Sequence, residues 1–147
     1  MAQSTAASYG FELPKAQAGQ KYDVRPDWVM SFAAEEAIEP GQPVKRGTDP
    51  EKQVLVGDDT AFLGIALFTH ADEQALTGGT EYAVEDMVSV LTKGAAWVVS
   101  SVDTVVAGEA AYVTSAGAWT NVPTDNQLAG EFISGGDEDD LVVVELA

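Results

Sequence analysis

The side chains most able to do chemistry in this chain are few, and their spacing is poor for it. There is one histidine, His70, in the stretch FTHADEQ, and no cysteine. A Ser-His or Cys-His nucleophile would have to be built on His70, whose context is a surface turn following a strand. Acids are plentiful, with 24 Asp and Glu against 7 Lys and Arg, but they pair badly. Glu35-Glu36 and Asp58-Asp59 are neighbours in sequence, so a strand points the two members of each pair to opposite faces, where they cannot share a proton. The run from Gly135 to Asp140 gathers four acids without the D-x-[DN]-x-[DN]-G-x₅-E spacing of a calcium loop, and it reads as a solvated hairpin loop. No G-x-x-x-x-G-K-[ST] or G-x-G-x-x-G is present to cradle phosphate. The residues thus predict no catalytic group, no bound metal and no cofactor.

Charge narrows the partners. The formal net charge is −17, and it is unevenly placed. Residues 1–26 carry three bases (Lys15, Lys21, Arg25) and two acids, whereas residues 27–147 carry four bases and 22 acids. Such a body is a poor nucleic-acid binder, because phosphate contacts need Lys and Arg. Copies of it repel one another at a distance, so any self-assembly must rest on apolar contacts or on the less acidic N-terminal segment. No apolar run approaches the roughly 20 residues that span a bilayer, and the polar start MAQSTAASYG does not have the layout of a signal peptide. No membrane partner is expected.

The elements that would position any functional side chain are strands. WVMSFAA, QPVKRG, KQVLVG, AFLGIALFT, YAVEDMVSVLTKGAAWVVSS, EAAYVTSAGAWTNV, GEFIS and DLVVVELA are rich in Val, Thr and aromatic residues and lie between Gly, Pro and Asp turns. Tyr112 to Thr120 predicts a hairpin centred on Ala116-Gly117, with Tyr112 or Val113 across from Trp119. LVVVEL predicts a central strand buried on both faces. Helix is limited to a short turn at residues 71–75 (ADEQA) and another at residues 35–38. The fold class is all-β, a small barrel or sandwich of residues 27–147 preceded by an extended arm of residues 1–26. In that arm Tyr9, Phe11 and Leu13 alternate as on an extended strand with one apolar face.

The punctuation of the body repeats. Setting Gly41 over Gly108 aligns Ile38 with Val105 and Pro43-Val44-Lys45 with Ala110-Ala111-Tyr112, an offset of 67 residues. Further on, the strand glycines Gly64 and Gly130 correspond if one residue is dropped, and Asp27-Trp28-Val29-Met30-Ser31 falls where Lys93-Gly94-Ala95-Ala96-Trp97-Val98-Val99 comes in the second copy. The pattern predicts two duplicated β-units; two unrelated meanders with ordinary turn chemistry are the alternative. Trp28, Trp97 and Trp119 are each expected in the core, with an interface as the other place for so large a ring.

The order of motifs resembles that of a known family. A Pro-Lys-Ala-x-x-Gly segment (Pro14 to Gly19) leads to A-I-x-P-G-x-P-V-x-x-G (Ala37 to Gly47), then to F-L-G-I-A-L (Phe62 to Leu67). Next come Tyr-x-Val-x-Asp-Met-Val-Ser-Val-Leu-Thr-Lys-Gly-x-x-Trp-Val (Tyr82 to Val98) and A-G-E-A-A-Y-V. The chain resembles, over essentially its whole length, the structural cement or capsid decoration proteins of tailed bacteriophages. That resemblance implies a β-tulip-like, non-enzymatic virion protein, assembled in the host cytoplasm and placed on the outer surface of the expanded head. There it would bridge neighbouring major capsid proteins as a homotrimer at three-fold or quasi-three-fold positions. The capsid-binding residues would then lie in the arm: Tyr9, Phe11, Leu13, Lys15, Lys21, Tyr22 and Arg25. Two other readings compete: a small carbohydrate- or ligand-binding β-domain that stacks its ligand on Trp97 or Trp119, and a phage head-fibre or tail component.

Overall fold

The computed structural model describes residues 18–23, 26–68, 81–100 and 104–146; His70, the segment 71–75 and the arm residues Tyr9, Phe11, Leu13, Lys15 and Arg25 lie outside them. The described residues form eleven strands and no helix: β1 (Trp28–Ala34), β2 (Pro43–Arg46), β3 (Gln53–Val56), β4 (Gly64–Ala66), β5 (Met87–Val99), β6 (Thr104–Val105), β7 (Ala110–Val113), β8 (Trp119–Thr120), β9 (Gln127–Phe132), β10 (Gly136–Asp137) and β11 (Leu141–Leu146). The short helical turn expected at residues 35–38 is absent. Glu35 there accepts hydrogen bonds from the Thr48 backbone N–H and hydroxyl, and Glu36 accepts one from the Val56 N–H. Their carboxylates thus tie the segment sideways to the turn before β3 and to β3 itself.

Five strands close into a barrel in the order β1-β3-β2-β4-β5 and back to β1. All contacts in this ring are antiparallel except β1 with β3. The long strand β5 then serves twice. Its first half pairs with β1 and β4, and its second half, from Gly94 to Val99, pairs with β11. From β11 the sheet continues through β9 and β7 to β8, and a parallel bridge from Trp119 to Ser100 brings β8 back to the end of β5. The second ring therefore repeats the first, sense for sense, with its single parallel contact in the same place.

The repeat holds at the level of individual hydrogen bonds. The Gly41 N–H donates to the Ala66 carbonyl at 2.7 Å, as the Gly108 N–H does to Phe132. Gln42 turns its side-chain oxygen back to the Glu39 N–H at 2.9 Å, and Glu109 does the same to Val106 at 2.6 Å. Asp86 accepts from Ala83 as Asp140 accepts from Asp137. Both glycines of the x-Gly turns have positive φ, 89° at Gly41 and 99° at Gly108, a conformation that costs a residue with a Cβ. The bridge from Ile38 to Tyr82 corresponds to the small β6–β10 pair, which joins Val105 to Gly136. The two β-units expected from the sequence are thus matched in topology as well as in turn chemistry.

Each ring is filled by its own side chains, as a small barrel requires. Phe32, Ile38, Val44, Val54, Ala66, Val88 and Val90 fill the first ring. Val98, Val105, Ala111, Trp119, Phe132, Val142 and Val144 occupy the equivalent places in the second. Large and small exchange between the copies: Val54 is replaced by Trp119, and Ala66 by Phe132. Ile65 and Leu91, on β4 and β5, join the second cluster and fuse the two units into one core. The hairpin prediction holds, with Val113 opposite Trp119, and so does the burial of β11, where Val142, Val143 and Val144 are all fully buried.

Candidate functional site

The best-held polar groups of the described residues are spent on structure. Lys45 and Asp58 form an ion pair, and that contact together with the Thr60 hydroxyl holds the Asp58 carboxyl well below the usual carboxylate range. The Glu35 carboxyl is lowered by its two bonds from Thr48. Tyr82 is pushed up by burial and donates its hydroxyl to the Leu67 carbonyl at 2.5 Å, closing the first ring. Among the described residues no group of three His, Cys, Asp or Glu converges as a cation site would require. The acidic run Asp137 to Asp140 lies exposed at the end of β10 and in the turn that leads to β11.

The three tryptophans part company. Trp119 is 2% exposed; its Nε1–H donates to the Gly41 carbonyl at 2.9 Å, and its ring meets Phe62 edge-on at 5.8 Å. Trp97 is 9% exposed and receives the Tyr22 ring edge-on at 5.7 Å. Neither offers an open face on which a sugar could stack. Trp28 departs from the core expectation: it is 66% exposed, with the Lys93 ammonium 5.1 Å from its ring centroid. The reason is the position of β1. Its C-terminal end is held between β5 and β3, but from Trp28 to Phe32 it pairs with β5 alone. Trp28, Val29 and Met30 of β1, and Met87 of β5, are apolar side chains left exposed along this pair of strands.

Of the arm residues named from the sequence, two are placed. Lys21 and Tyr22 lie on the chain's own body, in an extended segment antiparallel to the second half of β5, where Lys21 bridges to Ala96. Gly19 donates to the Trp97 carbonyl at 2.8 Å, Trp97 donates to Gln20 at 2.9 Å, and Tyr22 donates to Ala95 at 3.0 Å. Gly19 also accepts from Phe68, and Lys21 pairs with Asp27 at 3.2 Å. This part of the arm is therefore a strand added to β5. The alternation of Tyr9, Phe11 and Leu13 pointed to strand character in the arm, but nothing in these few residues named β5 as a partner.

These are the features of a scaffold with exposed strand edges rather than of a reaction centre, and comparison with known proteins agrees. The family model described as "Structural cement protein (E217 gp24/Pam3 gp6)" matches residues 5–147. The chain belongs to that family. It is accordingly a non-enzymatic structural protein of a bacteriophage virion, part of the capsid. Its fold is similar to that of a chain in "The capsid of Myoviridae Phage XM1", with a TM-score of 0.68 at 18% identity over 91% of each chain. It is also similar to the head fibre gp8.5 N base of bacteriophage phi29, with a TM-score of 0.56 at 12% identity over 83% of this chain and 95% of that one. None of the curated proteins matches the sequence significantly.

Proposed function

We propose that this cement protein binds the outer surface of the expanded phage head as a homotrimer and bridges neighbouring major capsid proteins. The body is residues 27–147, and residues 1–26 are the capsid-engaging arm. The observation that carries the reading is the family match across nearly the whole chain. The likeness to a chain of the XM1 capsid and to the base of the phi29 head fibre supports a place on the head for this fold. Packaged DNA presses outward, and a protein that binds only the expanded lattice stabilises that state in proportion to its differential affinity.

Within the arm, residues 18–22 are the tether, because they already belong to the sheet through β5. Tyr9, Phe11, Leu13, Lys15 and Arg25 supply the contacts to the lattice, while Lys21 and Tyr22 anchor the arm on β5. Burial of three large apolar side chains stabilises by about 1.5 to 3 kcal/mol each before ordering costs, and ordering the segment removes most of that. One arm then binds weakly and a trimer binds through several at once. The test is deletion of residues 2–17. The shortened protein is expected to keep its melting temperature and oligomeric state but to decorate expanded heads at least tenfold more weakly. Wild-type affinity in the truncated protein would refute the role of the arm.

A further inference from the structure

The duplication makes the open edge of β1 interpretable. The hydrogen bonds that join Ala34 to Glu85 and Asp86 recur between Ser100 and Asp139 and Asp140, so Ser31 and Val29 are the counterparts of Trp97 and Ala95. Those two residues are the ones that hold the added segment, through the N–H and carbonyl of Trp97 and the carbonyl of Ala95. The Ala33 N–H points away from β5, toward the Lys52 carbonyl. By the alternation of a strand, the backbone groups of Ser31 and Val29 point the same way, where no described strand lies. Among the described residues, one unit has its edge filled by an extended segment, and the other has no segment on the same edge.

We propose that the open edge of β1 receives an extended, acid-bearing segment of the capsid lattice as an added antiparallel strand. This rests on the reading that the protein binds the head, and it supplies a second contact besides the arm. The backbone of the edge is preformed for such pairing, in which main-chain bonds give affinity and alternate side chains give selectivity. The apolar groups exist as well: Trp28 and Met87 are each 66% exposed, and Met30 is 46% exposed. Charge identifies the occupant. Of the body's four cations, Lys45 is paired with Asp58, and two of the others stand beside this edge. Lys93 lies over Trp28, and Arg46 lies over the Phe32 ring at 5.7 Å while donating to the Pro50 carbonyl at 2.6 Å. Asp27, beside Trp28, is neutralised by Lys21. A second copy is opposed, since facing two β1 edges would set Lys93 and Arg46 toward their own counterparts between two strongly acidic bodies.

The test uses the full chain with Ser31→Pro and, separately, Lys93→Glu, titrated onto heads of the parent phage assembled without this protein. Proline is tolerated on an edge strand whose N–H faces outward, so Ser31→Pro is expected to melt within about 2 °C of wild type. It should bind the heads at least tenfold more weakly, and Lys93→Glu at least threefold more weakly, with the oligomer intact in both. Binding by a folded Ser31→Pro protein within twofold of wild type would overturn the proposal. Loss of the oligomer in Ser31→Pro would also overturn it, by making the edge a contact between copies. If Ser31→Pro does not fold, Lys93→Glu decides alone, and unchanged binding refutes the charge match. Failure of the wild type itself to bind would remove the parent reading and this one together, whereas wild-type binding with unaffected variants removes only this one.

Discussion

Gly64 and Gly130 occupy equivalent places in the two rings, and replacing each by Ala measures how far the equivalence extends into energetics. A Cβ at Gly64 would sit 2.2 Å from the Leu91 carbonyl oxygen and 2.8 Å from a Val90 methyl; at Gly130 it would sit 2.1 Å from the Glu145 carbonyl oxygen. In each ring the obstruction is the backbone of the neighbouring strand, β5 in the first and β11 in the second, so no side chain can swing aside. Restoring a tolerable contact requires the strands to part by about 1 Å, which stretches ladder hydrogen bonds from about 2.9 Å beyond useful range. Losing two of them at about 1 kcal/mol each and adding about 1 to 3 kcal/mol for overpacking gives about 3 to 5 kcal/mol per site. For a chain of this size that lowers the melting temperature by about 6 to 20 °C. Gly108→Ala is the control: nothing lies within 4 Å, only its φ of 99° opposes a side chain, and about 1 to 2 kcal/mol is expected. Thermal unfolding followed by circular dichroism reads all three. Melting of both Gly64→Ala and Gly130→Ala within 2 °C of wild type would refute the packing argument, and a large loss at only one would refute the equivalence.

The extended segment on β5 predicts a contrast between truncations: deletion of residues 2–17 leaves stability unchanged, whereas deletion through residue 25 also removes the bonds to Trp97, Ala95 and Phe68 and should lower stability by about 2 kcal/mol in denaturant titration. Trp119→Phe leaves the Gly41 carbonyl without its indole donor and vacates part of the second ring, for a loss of about 2 kcal/mol in the same assay. Asp58→Asn tests the surface ion pair, and a difference of about 0.5 to 1 kcal/mol is expected at neutral pH. Because the folded-state pKa of Asp58 is depressed, that difference is fully present above the unfolded value and shrinks as the pH falls below about 4; a difference that grew in acid would contradict the assignment. Raising salt should strengthen the oligomer or leave it unchanged, since it screens repulsion between chains of net charge −17, and sedimentation at two salt concentrations would show the reverse if assembly were ionic.

Most strand positions were legible because their signals are local. Val, Thr and aromatic runs bounded by Gly and Pro mark β1 to β4, both halves of β5 and β11, and the Ala116-Gly117 turn sets the register of Val113 with Trp119. The duplication was legible for the same reason, since Gly41 and Gly108 require one backbone conformation and announce it by residue type. Closure was not, because no local pattern shows that β5 serves two rings or that Ser100 meets Trp119 across the second. The exposure of Trp28 was hidden by its type: an aromatic at a strand start reads as core, and only the short pairing of β1 with β3 leaves it open. The fold-back of residues 18–22 onto β5 escaped for a similar reason. An extended segment declares its conformation but not the edge it will join.

The most direct test of the account is to add purified wild-type protein to expanded and to unexpanded heads of the parent phage that lack it, and to image both by electron cryomicroscopy. The account predicts saturable density on the outside of expanded heads, at three-fold or quasi-three-fold positions and touching adjacent capsid proteins, with little on unexpanded ones. Protein that stays unbound, or that coats both forms equally, would contradict it.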